Sequence, residues 1–115
     1  MKKLKLSIAE RLTALAIFNN PENKVATENL KVYLDDVNQF RVSEEEKKEI
    51  KWNEEKNDKG MITRVTWKDE GVDMKQIKMD EFTSKFLTEK LDGQEYSATD
   101  LLAVSAISLL EKLKN

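Results

Sequence analysis

The sequence predicts an α+β fold in which helices pack on a small antiparallel sheet of two or three strands. Apolar residues recur at helical spacing before residue 50 and again after residue 80, whereas apolar and polar residues alternate between residues 52 and 79. So small a sheet needs helices across one face to be stable. With 115 residues, this order of helices, strands and helices predicts one domain, residues 1–115.

The first helix is predicted to start at a capping box and to stop before a proline. Ser7 and Glu10 stand three residues apart, so each side chain can accept from the backbone N–H of the other. Pro21 ends the helix because it cannot donate to a continuing turn. Glu10 and Arg11 are interpreted as two solvated charges beside the cap.

Two further helices are predicted before the sheet. Thr27 is the expected N-cap of the second helix, and Asp36 is expected on its polar side. A third, shorter helix begins at a second capping box, formed by Ser43 and Glu46. The inward stripe of the second helix is predicted to consist of Leu30, Tyr33, Leu34 and Val37.

Strands are predicted where the helical period fades. Residues 63–68 and 75–79 alternate between apolar and polar side chains, and residues 50–53 are a candidate third strand. Turn signals at Asn57–Gly60 and Asp69–Gly71 flank the first of these strands. The pattern therefore predicts an antiparallel hairpin in the middle of the chain.

The last two helices follow the sheet. Asp80 is the expected cap of a fourth helix, which Gly93 is expected to end in a left-handed conformation. The final helix is the most apolar stretch of the chain, with Ser97 or Thr99 as its expected cap and Asp100 in its first turn. Its apolar residues cover most of its circumference. This is typical of a central core helix or a subunit contact.

Composition excludes several kinds of chemistry. The chain has 20 Lys and Arg against 22 Asp and Glu, a net charge of −2, and no cysteine or histidine. Disulfides, thiolate zinc sites and Ser-His-Asp catalysis are therefore excluded. The carboxylates of Glu44, Glu45 and Glu46 are interpreted as a solvated helix end, because a calcium or magnesium site needs a loop of defined acidic spacing. We predict no enzymatic activity, no metal and no cofactor.

Four residues are predicted as partner contacts: Trp52, Ala103, Ala106 and Leu110. Trp52 is either an exposed anchor or the edge of a small core, and it can also pair with Trp67 across the hairpin. Trp67 is expected to fill the core between sheet and helices. One side of the final helix, carrying Ala103, Ala106 and Leu110, is expected either to be buried in the core or to meet another protein or a second copy of the chain.

Several segments, in order, carry a resemblance. They are Leu6-Ser7-x-x-Glu10-Arg11-Leu12, the S-E-E-E start at Ser43, a tryptophan-bearing strand at 65–68, the K-Q-I-K-M-D segment at 75–80 and the leucine-rich end. This order resembles that of small proteins of uncharacterised function from phages, prophages and other mobile elements. The resemblance implies an accessory or host-takeover role, and it assigns no catalytic or binding residue.

The predicted function is therefore that of an accessory protein that acts by protein–protein interaction, as an inhibitor or adaptor of a host factor. No apolar run is long enough for a membrane span and no secretory segment is recognised, so a cytosolic setting is expected. The alternative is a nucleic-acid-associated regulator that contacts DNA through a helical segment. It would require a one-sided basic surface, for example from Lys2, Lys3 and Lys5 with the C-terminal lysines, whereas the acidic balance of the chain disfavours it.

Overall fold

The computed structural model describes residues 1–96 and 102–115, which form five helices and two separate two-stranded antiparallel sheets. The predicted α+β class is confirmed, with the strands divided between two sheets. The strands are β1 (Lys2–Leu6), β2 (Asn53–Lys56), β3 (Ile62–Thr66) and β4 (Lys75–Met79). The helices are α1 (Ile8–Phe18), α2 (Thr27–Gln39), α3 (Glu44–Glu49), α4 (Glu81–Asp92) and α5 (Leu102–Lys114).

The chain forms two compact units. The first contains residues 1–41 and 74–115, and the second contains residues 42–73. The single domain over residues 1–115 stays a prediction. The helix cap predicted at Ser97 or Thr99 and the first-turn Asp100 lie outside the described residues.

In the first unit, β1 pairs with β4 although about 70 residues separate them in the sequence. The register places Leu4 opposite Ile77 and Lys3 opposite Lys78. β4 has the predicted limits, whereas β1 was not predicted. Its sequence, K-K-L-K-L, does alternate. Leu4, which is partly exposed, and Leu6, which is buried, lie on the inner face of the sheet.

The capping box predicted at the start of α1 is confirmed, because Ser7 and Glu10 bond each other's backbone N–H. The prediction that Glu10 and Arg11 are solvated is wrong, since their exposed fractions are 3% and 1%. Arg11 donates from Nε to the Phe40 carbonyl at 3.2 Å and from Nη2 to the Arg41 carbonyl at 2.5 Å. Its charge is buried because it satisfies carbonyls at the end of α2.

α2 also differs from the prediction in three respects. Its N-cap is Ala26, with no side-chain bond, and not Thr27. Asp36 was predicted on the polar side, but it is buried and accepts from Asp80 N–H at 3.0 Å and from the Thr83 hydroxyl at 2.6 Å. Its carboxylate thereby joins α2 to the first turn of α4. Of the predicted inward stripe, Tyr33 and Val37 are buried, whereas Leu30 and Leu34 are exposed.

The hydrophobic core of the first unit lies between its helices and the inner face of the β1–β4 sheet. Aromatic rings fill much of it, with Phe18 in edge-to-face contact with Tyr33 and Phe40. α5 packs against α1, α4 and β1. The buried core residues include Leu6, Ala14, Phe18, Val37, Phe40, Ile77, Met79, Leu87, Ala106, Leu109 and Leu113.

α4 begins as predicted, because the Asp80 side chain accepts from Phe82 N–H at 3.0 Å. The predicted left-handed end at Gly93 is wrong, since its φ is −90°. Gly93 N–H still donates to Glu89 O at 3.2 Å, so the helical hydrogen bonding continues through this residue. Within the described parts of the chain, no helix has both the length and the apolar character needed to cross a membrane.

The second unit contains α3 and the hairpin of β2 and β3. The capping box of Ser43 and Glu46 is confirmed. The strand predicted at 50–53 lies at Asn53–Lys56, and the strand predicted at 63–68 lies at Ile62–Thr66, with a register shift between Glu55 and Lys56. The predicted turn between them is present, with Gly60 at φ +78° as only glycine readily allows.

Candidate interaction surface

The inner side of α5 is part of the core. Ala106, Leu109 and Leu113 follow one another at spacings of three and four residues and are all buried. This is the spacing that places side chains on one face of a helix. The inner face of α5, which carries Ala106, is therefore part of the core, one of the two roles that the sequence left open for this helix.

The outer side of α5 remains apolar and exposed. Val104 has an exposed fraction of 74% and Ile107 of 60%. Ala103 and Leu110 lie beside them and are half-buried. We call these four residues the outer face of α5. Positions 103, 107 and 110 have the four- and three-residue spacing that is typical of helix–helix seams.

A cleft of about 220 Å³ adjoins the outer face of α5. Its walls are mostly apolar, and Ala106, although buried in the core, contributes to its lining. The cleft is large enough to receive one apolar side chain of a partner. It is lined by Leu91, Gln94, Tyr96, Ala103, Ala106, Ile107 and Leu110.

An electrostatic network fixes how α5 lies against α1. The Glu10 carboxylate accepts from Lys112 Nζ at 2.8 Å and from the Ser108 hydroxyl at 2.7 Å. Burial alone would raise the pKa of Glu10, but the hydrogen bonds from Lys112, the Ser7 backbone and Ser108 together lower it below its ordinary value. The charged form of Glu10 is therefore the form that holds α5 in place.

The predicted contact Trp52 lies in the second unit, where it is half-buried and its ring contacts Trp67 and Lys47. Trp67 stacks at 6.0 Å between ring centroids with an angle of 20°, and Lys47 Nζ lies 5.4 Å from the centroid of the Trp52 ring. Trp52 Nε1 donates to Glu54 at 2.9 Å. The pairing of Trp52 with Trp67, which the sequence offered as an alternative, is present. Trp67 is half-buried and does not fill a core as predicted.

The structure therefore brings three of the four predicted contact residues together around the cleft, namely Ala103, Ala106 and Leu110. Trp52 is engaged within its own unit. The sequence reasoning missed Val104 and Ile107, the two most exposed apolar residues of α5. On a helical wheel, Val104 and Ile107 lie on the side opposite Leu109 and Leu113. The sequence does not indicate which of these two apolar sides packs against the core.

The buried polar groups of the described chain serve its structure. Within residues 1–96 and 102–115, every buried side-chain nitrogen and oxygen has a hydrogen-bond partner. Over the same residues, no three acidic side chains are grouped so that they could hold a metal ion. Glu44 and Glu45 are exposed at the start of α3. The outer face of α5 combines exposed apolar side chains with a mostly apolar cleft, and it is therefore the candidate interaction surface.

Comparison of the chain with protein-family models, curated protein sequences and solved structures finds no match.

Proposed function

We propose that the protein is a small accessory protein that acts by binding another protein through the outer face of α5. The observation that supports this most is the exposure of Ile107, an isoleucine at the rim of an apolar cleft on a helix whose opposite side is core. Single exposed apolar residues are common on protein surfaces. Here, however, Val104 and Ile107 are neighbours on a single helical face, beside a concave site.

The energetics of such a surface favour association. Complete burial of a fully exposed valine or isoleucine side chain contributes roughly 1.5–3 kcal/mol, and Val104 and Ile107, which are 74% and 60% exposed, retain more than half of that contribution for a complex. A partner side chain inserted into the cleft would add a desolvated anchor at the centre of the contact, where binding energy is usually concentrated. The spacing of Ala103, Ile107 and Leu110 suits an apolar helix as the partner element.

The wider role is proposed from the resemblance to phage, prophage and mobile-element proteins, which implies inhibition or adaptation of a host factor in the cytosol. We propose no catalytic activity and no cofactor. Three of the buried ionisable side chains, those of Glu10, Arg11 and Asp36, are held by hydrogen bonds within the fold. None of them is placed at the cleft.

Quantitative affinity purification with matched variants tests the proposal. Ile107 and Met61 are both apolar and both 60% exposed, but Met61 lies in the second unit. We expect the unaltered chain and Met61→Asp to recover the same partner, and Ile107→Asp to lose it. Recovery of the same proteins by all three chains would contradict the proposal. Light scattering identifies a second copy as the partner if the unaltered chain is dimeric and Ile107→Asp is monomeric.

A further inference from the structure

The solvent face of the β1–β4 sheet carries positive charge on both strands. Exposed residues alternate with buried or half-buried ones along β1 and, after the exposed Lys75, along β4, so that Ile77 and Met79 face the core. The exposed side chains between them form what we call the basic face. It consists of Lys3, Lys5, Gln76 and Lys78.

Two lysines of this face are forced close together. Gln39 bonds the backbone of Lys78 on both sides, accepting from its N–H at 3.0 Å and donating to its carbonyl at 2.6 Å. These groups of Lys78 therefore point away from β1, so Lys78 and its partner Lys3 form a non-hydrogen-bonded pair. The Cα atoms of such a pair are about 4.5 Å apart, the closer of the two antiparallel spacings.

The charges of the basic face are not neutralised locally. In the part of the chain that the structure describes, no carboxylate forms an ion pair with Lys3, Lys5 or Lys78. Like charges directly opposite each other destabilise a sheet. Lys3 and Lys5 are two residues apart on a strand and so lie about 6.7 Å from each other. The arrangement is a compact array of three cations that an anionic partner would stabilise.

The net charge of −2 is distributed unevenly between the two units. Residues 42–73 contain ten acidic and seven basic residues, a net charge of −3, so the remaining residues carry +1. The acidic balance that disfavours nucleic acid at the level of the sequence therefore belongs to the second unit. The basic surface of the first unit differs from the one expected for the alternative function, because it lies on two strands and not on a helix and is built from Lys3, Lys5 and Lys78.

We infer that the basic face binds double-stranded DNA. Protein interfaces are depleted in lysine at their centres, which makes an array of lysines without an apolar side chain a poor protein-binding surface. The major groove of DNA admits a two-stranded β-ribbon, and the Gln76 amide can donate to and accept from a base edge there. Duplex RNA fits less well, because its major groove is too deep and narrow for side chains to read.

Fluorescence anisotropy with a labelled DNA duplex tests this inference. The ribbon variant replaces Lys3, Lys5 and Lys78 by glutamine, and the control variant replaces the exposed Lys24, Lys31 and Lys85, so that both lose three positive charges. We expect the ribbon variant to lose at least about tenfold in affinity at low salt, and the slope of log K against log salt to become less steep by about 2.7. The control variant should bind like the unaltered chain.

Thermal unfolding separates this loss from misfolding, since removal of the opposed lysines should leave the melting temperature of the ribbon variant unchanged or raised. The inference is overturned if the unaltered chain does not bind DNA, or if the two variants lose the same affinity. It is also overturned if duplex RNA of the same sequence, vesicles of anionic phospholipid or an acidic peptide compete as well as unlabelled DNA.

Discussion

Lys112 Nζ lies 2.8 Å from Glu10 Oε1 and joins the last turns of α5 to the first turn of α1. Ser108, one helical turn before Lys112, donates to the other oxygen of the same carboxylate. Two contacts on one side of α5 fix its rotation about its own axis. As a result, Leu109 faces the core and Ile107 faces outward.

We expect this network to make stability depend on pH. Because the pKa of Glu10 is lowered in the folded chain, its contribution to the free energy of unfolding is present above the ordinary glutamate pKa of about 4.3 and is lost as the pH falls through the lowered value. Glu10→Gln keeps a capping acceptor but removes the charge. Urea denaturation should show a loss of about 2 kcal/mol at pH 7, because a charge-assisted bond is removed, and a smaller difference near pH 3.

Glu22→Gln is the matched control for this measurement, since Glu22 is exposed. It should change the free energy of unfolding by less than about 0.5 kcal/mol at either pH. A difference between Glu10→Gln and the unaltered chain that stays constant from pH 7 to pH 3 would rule out the role assigned to the carboxylate.

The buried Asp36 carboxylate should contribute far more to the free energy of unfolding than the exposed carboxylate of Asp35. Asp36→Ala leaves the Thr83 hydroxyl and the Asp80 N–H without their acceptor, which should lower the free energy of unfolding by about 2–3 kcal/mol. Asp35→Ala, at an exposed position, should cost less than about 0.5 kcal/mol. Chemical denaturation compares the two. Equal losses would show that the link between α2 and α4 is not formed.

A charge introduced on the inner side of α5 should lower the stability of the fold much more than a charge on the outer side. Leu109→Asp places an unpaired carboxylate at a position with no exposed surface, and we expect a loss of more than about 4 kcal/mol or failure to fold. Ile107→Asp should cost only about 0.5 kcal/mol, from helix propensity. Thermal unfolding followed by circular dichroism measures both. A large loss for Ile107→Asp would mean that this side chain is buried.

The tryptophan pair should contribute to stability as a unit. A double-mutant cycle of Trp52→Ala and Trp67→Ala, followed by circular dichroism during urea denaturation, should give a coupling energy of about 1 kcal/mol for the stacked rings. Lys47→Ala serves as the comparison, because the Lys47 ammonium also contacts the Trp52 ring and should contribute less. Additive losses for the two tryptophans would be inconsistent with stacking.

Features that depend on neighbouring residues could be predicted from the sequence. Both capping boxes, the Asp80 cap and the limits of β4 are present as predicted. Each is determined by contacts within about four residues or by a simple alternation. The turn at Asn57–Gly60 belongs to the same group.

Features that depend on distant partners could not be predicted. Glu10 meets Lys112 across 102 residues, and Asp36 meets Thr83 across 47. Nothing local to these residues distinguishes them from solvated charges. β1 is a different case, because its K-K-L-K-L sequence alternates as that of β4 does, so the local signal was present and was not used. For the candidate site, the sequence indicated that α5 has more apolar surface than one core contact needs, while only packing shows that Val104 and Ile107 are the uncovered part.

Site-specific photo-cross-linking tests most directly the claim that the outer face of α5 binds a protein. A benzophenone side chain is placed at position 107 or, as the equally exposed control, at position 61. Adducts are then identified by mass spectrometry in the cells that naturally express the chain. We predict that position 107 yields one defined intermolecular adduct and position 61 does not. No adduct at 107, or the same set of adducts from both positions, would contradict the account.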